Sequence, residues 1–197
     1  MKKALISVSN KINLEKILPI LKELNFEIIS SGGTAKKIRE LGFKVMDVSE
    51  YTSYPESPEG LVKTLHPKIH GGMLLDENKK DHKEYMSEQK ISPFDLVIVN
   101  LYPFEETIQK PGVTLVKAVE NIDIGGPSMV RSAAKGALLH NGAAVVVDPD
   151  DYEKIASELR EKNSVSIETK KKLAVKAFEH TAKYESAIIN YLEKEVN

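Results

Sequence analysis

The sequence predicts an α/β protein, a parallel sheet flanked by helices with a helical C-terminal extension. Three observations carry that expectation. Short apolar runs rich in Ile and Val alternate with segments of helical period, the pattern of strands buried on both faces. A serine- and glycine-rich turn, Ser30-Ser31-Gly32-Gly33-Thr34, joins the second of those runs to a helical segment. From Asp148 onward, two helical stretches fill the chain.

Taken in order, the runs that read as strands are Ala4 to Val8, Glu27 to Ser30, Lys44 to Val48, Leu96 to Asn100 and Ala143 to Val147. Between the first two, Leu14, Ile17, Leu18, Leu21 and Leu24 recur at helical spacing, and Pro19 is expected to kink that helix or weaken its middle. Thr34 is placed to cap a helix running to about Leu41, with Gly42 ending it in left-handed geometry. From Ser49 to Pro67 the composition turns to Tyr, Thr, Ser, Pro, Glu and Gly, and Pro55 and Pro58 exclude regular structure. A loop that long inside a compact domain is usually functional or mobile. Asp148-Pro149-Asp150-Asp151 reads as an N-cap followed by proline at the first helical position. The last helix is expected from about Ile167 to Leu192. Residues 1–148 are therefore expected to form one domain, with 149–197 a helical extension packed on it.

A chain of 197 residues suffices for one domain with a full core and is short for two. Lys and Arg total 28 against 29 Asp and Glu, a formal charge of −1, so no domain-wide basic field exists to hold a nucleic acid. The absence of cysteine removes disulfides, thiolate metal sites and cysteine nucleophiles, and fits a cytoplasmic protein. Met1-Lys2-Lys3-Ala4-Leu5-Ile6-Ser7 reads as a first strand rather than a signal peptide, because polar residues follow its short apolar run. No apolar segment approaches the roughly 20 residues needed to span a bilayer, so a soluble protein with no membrane partner is expected.

Polar residues in apolar, glycine-rich surroundings mark the candidate site. The turn Ser31-Gly32-Gly33-Thr34 lies between a strand and a helix start, where free N–H groups and the helix dipole favour an anion, and Ser31 and Thr34 add hydroxyls. A tight turn with a capping threonine is the bland alternative. Ser9-Asn10-Lys11, after the first strand, falls on the same carboxyl edge of the sheet and supplies a cation; open parallel sheets bind ligands there. Neither a G-x-x-x-x-G-K-[ST] loop nor a G-x-G-x-x-G fingerprint is present, which withdraws support from ATP hydrolysis and hydride transfer. His66 and His70 are four apart, but Pro67 separates them and no Glu follows His66, so a metal site is not expected. Asn100 and Tyr102 emerge at the same edge from the fourth strand. Asp123 precedes Gly125-Gly126-Pro127, where it would otherwise cap a helix, and Lys135 would otherwise offset that helix's dipole near its end. Together these residues accumulate on one edge.

Seven segments, in order, resemble one family. They are Ser7-Val8-Ser9-Asn10-Lys11, Ser31-Gly32-Gly33-Thr34-Ala35-Lys36, Val62-Lys63-Thr64-Leu65-His66-Pro67, Asn100-Leu101-Tyr102-Pro103-Phe104, Ile122-Asp123-Ile124-Gly125-Gly126, Ala133-Ala134-Lys135 and Lys176-Ala177-Phe178-Glu179-His180-Thr181-Ala182. Over nearly its whole length the chain resembles the inosine monophosphate cyclohydrolase domain, which in that family precedes a formyltransferase domain in a bifunctional purine biosynthesis protein.

The resemblance implies a methylglyoxal-synthase-like fold, a homodimer, no metal or organic cofactor, and dehydrative closure of 5-formamidoimidazole-4-carboxamide ribonucleotide to inosine monophosphate. It places the nucleotide phosphate at Ser9, Asn10, Lys11, Ser31, Gly32, Gly33 and Thr34. Lys63, Tyr102, Asp123 and Lys135 would surround the reacting base, with Leu61, Val62, Thr64, Val99, Asn100 and Ile124 as further contacts. The chain departs from the family pattern at Leu61, where an arginine is usual, and at Ile12 and Asn13, where Thr and Gly are usual. Two other functions share the glycine-turn fold: a nucleotide-sensing regulatory domain, which has no need of two Lys, a Tyr and an Asp at the base end, and methylglyoxal synthase, a smaller enzyme than the stretch beyond Pro149 allows.

Overall fold

A computed structural model describes residues 1–196, the side chains of Glu59 and Val196 excepted. Five strands, β1 (Lys3–Val8), β2 (Glu27–Ser30), β3 (Met46–Asp47), β4 (Leu96–Asn100) and β5 (Ala144–Val146), form one sheet in the order β3-β2-β1-β4-β5 with every pairing parallel. Among the described residues ten α-helices accompany them: α1 (Leu14–Glu23), α2 (Gly32–Glu40), α3 (Val48–Thr52), α4 (Pro67–Leu74), α5 (Lys80–Glu88), α6 (Phe104–Ile108), α7 (Leu115–Glu120), α8 (Gly125–His140), α9 (Tyr152–Lys162) and α10 (Ile167–Val196).

Strand period decides the cores. Successive side chains of β1, β4 and β5 point to opposite faces. Ala4, Ile6, Leu96, Ile98 and Val146 pack with Leu14, Ile17, Leu21 and Ile155 of α1 and α9. Leu5, Val97, Val99 and Val145 pack with Met129, Ala133, Ala137, Ala177 and Tyr184 of α8 and α10. Small alanines on α8 let α10 lie close along it.

Two local expectations change. The third strand shrinks to Met46–Asp47, because α3 begins at Val48 and the segment lies at the sheet margin with only β2 to pair with. The stretch from Ser49 to Pro67 is not free of regular structure: α3 and a 3-10 turn at Pro58–Gly60 interrupt it, Pro58 occupying a first-turn position where its missing N–H costs nothing. Helix α1 runs on through Pro19. That proline faces solvent, and its cost of about 3 kcal/mol is outweighed by burying Leu14, Ile17, Leu18, Ile20 and Leu21 at about 1.5–3 kcal/mol each. As expected, Asp148 caps the turn at Pro149–Asp151 by accepting from the Asp150 N–H at 3.0 Å. Helix α10 spans the predicted last helix; of the expected extension 149–197, Asn197 lies outside the described residues. No helix among the described residues is long and apolar enough to cross a membrane.

The strand order reverses between β1 and β4, so the loops following these two strands diverge and open a crevice at the carboxyl edge of the sheet.

Candidate active site

That crevice is a cleft of about 440 Å³, within the usual range for a small-molecule site. One end is built from main chain. Gly32 adopts φ +53°, starting α2 directly after β2, and the first-turn N–H groups of a helix have no intrahelical acceptors. No acidic residue occupies this turn, so its dipole is uncompensated on the cleft side. A Cβ on Gly32 would lie 3.2 Å from the Lys63 ammonium, and one on Gly33 would lie 3.5 Å from Lys11 Cε. Two cations thus flank the glycine turn. The Lys11 ammonium also donates to the Ser9 carbonyl at 2.9 Å, and the Lys63 ammonium to Glu56 at 2.8 Å.

Two polar ties fix this end. Buried Thr34 does not cap α2; its hydroxyl accepts from the Val8 N–H at 3.0 Å and donates to the Val8 carbonyl at 2.9 Å. With its only proton committed, Thr34 offers an anion its backbone N–H and not its hydroxyl. The Asn100 side chain pairs with both main-chain groups of Asn10, accepting at 2.8 Å and donating at 2.9 Å, and so binds the loop after β1 to the end of β4. Asn13 sits at φ +62°, a left-handed geometry asparagine tolerates.

The other end is built from side chains. Asp123 accepts from the Gly126 N–H at 2.8 Å, spanning the start of α8. Burial pushes its carboxyl above the ordinary aspartate range, only partly offset by the main-chain N–H groups of Gly126 and Tyr102. A Cβ at Gly125 would fall 2.4 Å from the Thr64 hydroxyl oxygen, and one at Gly126 2.4 Å from an Asp123 carboxylate oxygen. Only hydrogen fits at these two positions, which explains the paired glycines. Tyr102 lines the cleft and is 56% exposed, whereas Phe104, two residues on, is buried.

Of the residues singled out in the sequence, Ser9, Lys11, Ser31, Gly32, Gly33, Thr34, Leu61, Lys63, Thr64, Asn100, Tyr102, Asp123 and Ile124 line this one cleft. Four do not. Asn10 takes part through its main chain, and its side chain accepts from the Ile12 N–H within its own loop. Val62 is half-exposed away from the cleft, and Val99 is buried in the core on the α8 side. Lys135 lies ten residues beyond Gly125 on α8, about 15 Å along the axis at the usual helical rise. It lines a separate depression with Arg131, Leu138, Leu139 and Phe178, so one protomer does not bring it to Lys63 and Asp123. The histidines are engaged separately: His66 accepts from the Lys68 N–H at the start of α4, and His70 bonds Ser132 at 2.9 Å.

Sequence reasoning missed Glu56 and Tyr184. Glu56 pairs with Lys63 from within the proline-rich stretch, where nothing distinguishes it from neighbouring acidic residues. Tyr184 reaches Asp123 from α10, where its ring follows the ordinary apolar spacing.

The MGS-like domain family matches residues 13–128, which hold the glycine turn and most of the cleft. The chain belongs to that family. Residues 133–197 match a second family, the AICARFT/IMPCHase bienzyme. The MGS-like chain is 52% identical to the bifunctional purine biosynthesis protein PurH of Bacillus cytotoxicus, 51% to that of Bacillus mycoides and 52% to that of Ligilactobacillus salivarius. Each alignment covers 99% of this chain and 38% of the relative, so the chain spans well under half the length of these proteins. A solved structure titled "Crystal structure of ForH" superposes with a TM-score of 0.84 at 29% identity, covering 95% of this chain and 97% of the other.

Proposed function

We propose that this chain is an inosine monophosphate cyclohydrolase, a cytoplasmic enzyme of the last step of purine biosynthesis that needs no cofactor. It closes 5-formamidoimidazole-4-carboxamide ribonucleotide to inosine monophosphate and water. The observation that carries this is one cleft with an anion-binding turn between two lysines at one end and a buried carboxylate beside a tyrosine at the other. The relatives' name, a bifunctional purine biosynthesis protein, supports the same substrate class.

Nucleophile and electrophile belong to one molecule, so the protein's task is positioning and charge control. The nucleotide phosphate settles on the first turn of α2 beside Lys11, which leaves Lys63 for the reacting end. The base lies toward Tyr102 and Asp123. As the carboxamide nitrogen attacks the formyl carbon, charge grows on the formyl oxygen, and the Lys63 ammonium and Tyr102 hydroxyl are the donors suited to it. Lys63 leaves Glu56 for this role. Asp123, as carboxylate, accepts a hydrogen bond from the carboxamide NH2 and draws off charge as the C–N bond forms; a proton then reaches the departing oxygen as water.

Lys135 supplies that proton across a homodimer, from α8 of one protomer to the cleft of the other. In the full-length protein a formyltransferase domain accompanies this one. Incubation with the formamido nucleotide should generate the ultraviolet absorbance of the purine, which neither a sensing domain nor methylglyoxal synthase produces. Mixing inactive Asp123→Ala and Lys135→Ala chains should restore activity, because half of the clefts in a mixed dimer hold both groups; no recovery removes Lys135 from the mechanism.

A further inference from the structure

We infer that Tyr184, on α10 and outside the cleft, is a positioning residue that holds the Asn121–Asp123 turn and Tyr102 in register for the reaction. The inference rests on the cyclohydrolase reading. The Tyr184 hydroxyl accepts from the Asp123 N–H at 2.8 Å and faces the Asn121 carbonyl at 3.4 Å, so one oxygen bridges both ends of the turn that carries the cleft's carboxylate. The ring is 92% buried, its 8% exposure leaving little room to swing away. It meets Phe104 edge-on with centroids 6.3 Å apart, two residues after Tyr102. A single side chain therefore braces the two segments that supply the base end. The Asp123 N–H has this hydroxyl as its acceptor, and a half-buried amide deprived of one seeks another partner by shifting the turn.

The same helix provides an internal control. Tyr191 packs on Phe104 with centroids 5.8 Å apart, and its buried hydroxyl has no hydrogen-bond partner among the described residues. Removing either hydroxyl alters α10 by one oxygen and leaves the ring packing in place, but only Tyr184 touches the turn.

The test compares Tyr184→Phe with Tyr191→Phe in the full chain, by steady-state kinetics with the formamido nucleotide and by hydrogen exchange at the Asp123 amide followed by NMR, with β4 amides as the reference for global opening. The expected result for Tyr184→Phe is exchange at Asp123 at least tenfold faster with β4 unchanged, kcat lower by about tenfold, and KM within twofold because the phosphate end is untouched. Tyr191→Phe should match the parent in each respect. If Tyr184→Phe behaves like Tyr191→Phe, or if exchange accelerates while kcat holds, the inference is overturned. Should the parent chain form no purine, the cyclohydrolase reading fails, and unchanged exchange at Asp123 would still reject the brace by itself.

Discussion

The two ends of the cleft are built differently. At the glycine turn the ligand-facing groups are main-chain N–H groups fixed by the start of α2, and the side chains Thr34 and Asn100 tie neighbouring loops to strand ends. At the base end the working groups are side chains on loops, Tyr102 and Asp123, and they are held from α10 through Phe104 and Tyr184. The glycine turn of the first end lies within the MGS-like match at residues 13–128, whereas Tyr184, the brace on the second, lies within the match at 133–197. A turn that offers free N–H groups to a cleft can thus be carried by strand–turn–helix geometry alone. A carboxylate that must stay half-buried and aimed needs a second layer behind it.

Perturbing each end tests this contrast. The largest effect is expected at the base end: Asp123→Asn keeps the size of the side chain but removes its charge, and kcat should fall by about a hundredfold or more, the scale of acid–base contributions, with the melting temperature held or raised. Thr34→Val at the phosphate end strips both main-chain groups of Val8 of their partners in a buried setting; denaturant unfolding should register a loss of about 2 kcal/mol. Lys11→Met should instead raise KM by about tenfold, equivalent to about 1.4 kcal/mol, with kcat unchanged, since it removes binding felt equally by substrate and transition state. If Lys11→Met lowered kcat as much as it raised KM, the division between ends would blur.

The smallest effect is one of pH. Burial raises the Asp123 carboxyl above the ordinary range, so the neutral form is favoured in the folded protein. In the proposed mechanism the carboxylate does the chemistry, so the acid limb of kcat should sit at higher pH than for an ordinary aspartate. The sign for folding is opposite: in that window the native state binds more protons than the unfolded one, so Asp123 lowers stability as pH rises through it. Asp123→Asn should abolish this slope, which paired unfolding curves at several pH values would read.

Legibility followed the range of the interactions. Strands β1, β2, β4 and β5 were readable because runs buried on both faces leave a continuous apolar signal. The glycine turn was readable because positive φ at Gly32 and the close approach of Lys63 leave few other residues acceptable. The third strand is overread by three residues: Lys44 and Val45 lie beyond the β2 pairing, and Val48 begins α3. Thr34 was assigned to a cap because its position before a helical run is the same whether its hydroxyl turns toward its own helix or toward β1. The edge-on contact of Tyr184 with Phe104 joins residues eighty positions apart, and no periodicity reports it.

What the sequence determined by itself was the α/β layering, the carboxyl-edge location of the site and the chemical types gathered there, because alternation, turn residues and charge are local properties of the chain. The tertiary structure alone decided that Lys63 rests between Glu56 and the glycine turn, that Thr34 spends its hydroxyl on β1, and that Lys135 faces away from its own cleft. These are matters of which helix face meets which neighbour. A side chain's direction is fixed by packing across the whole domain, and about three turns of α8 separate Gly125 in the cleft from Lys135 outside it.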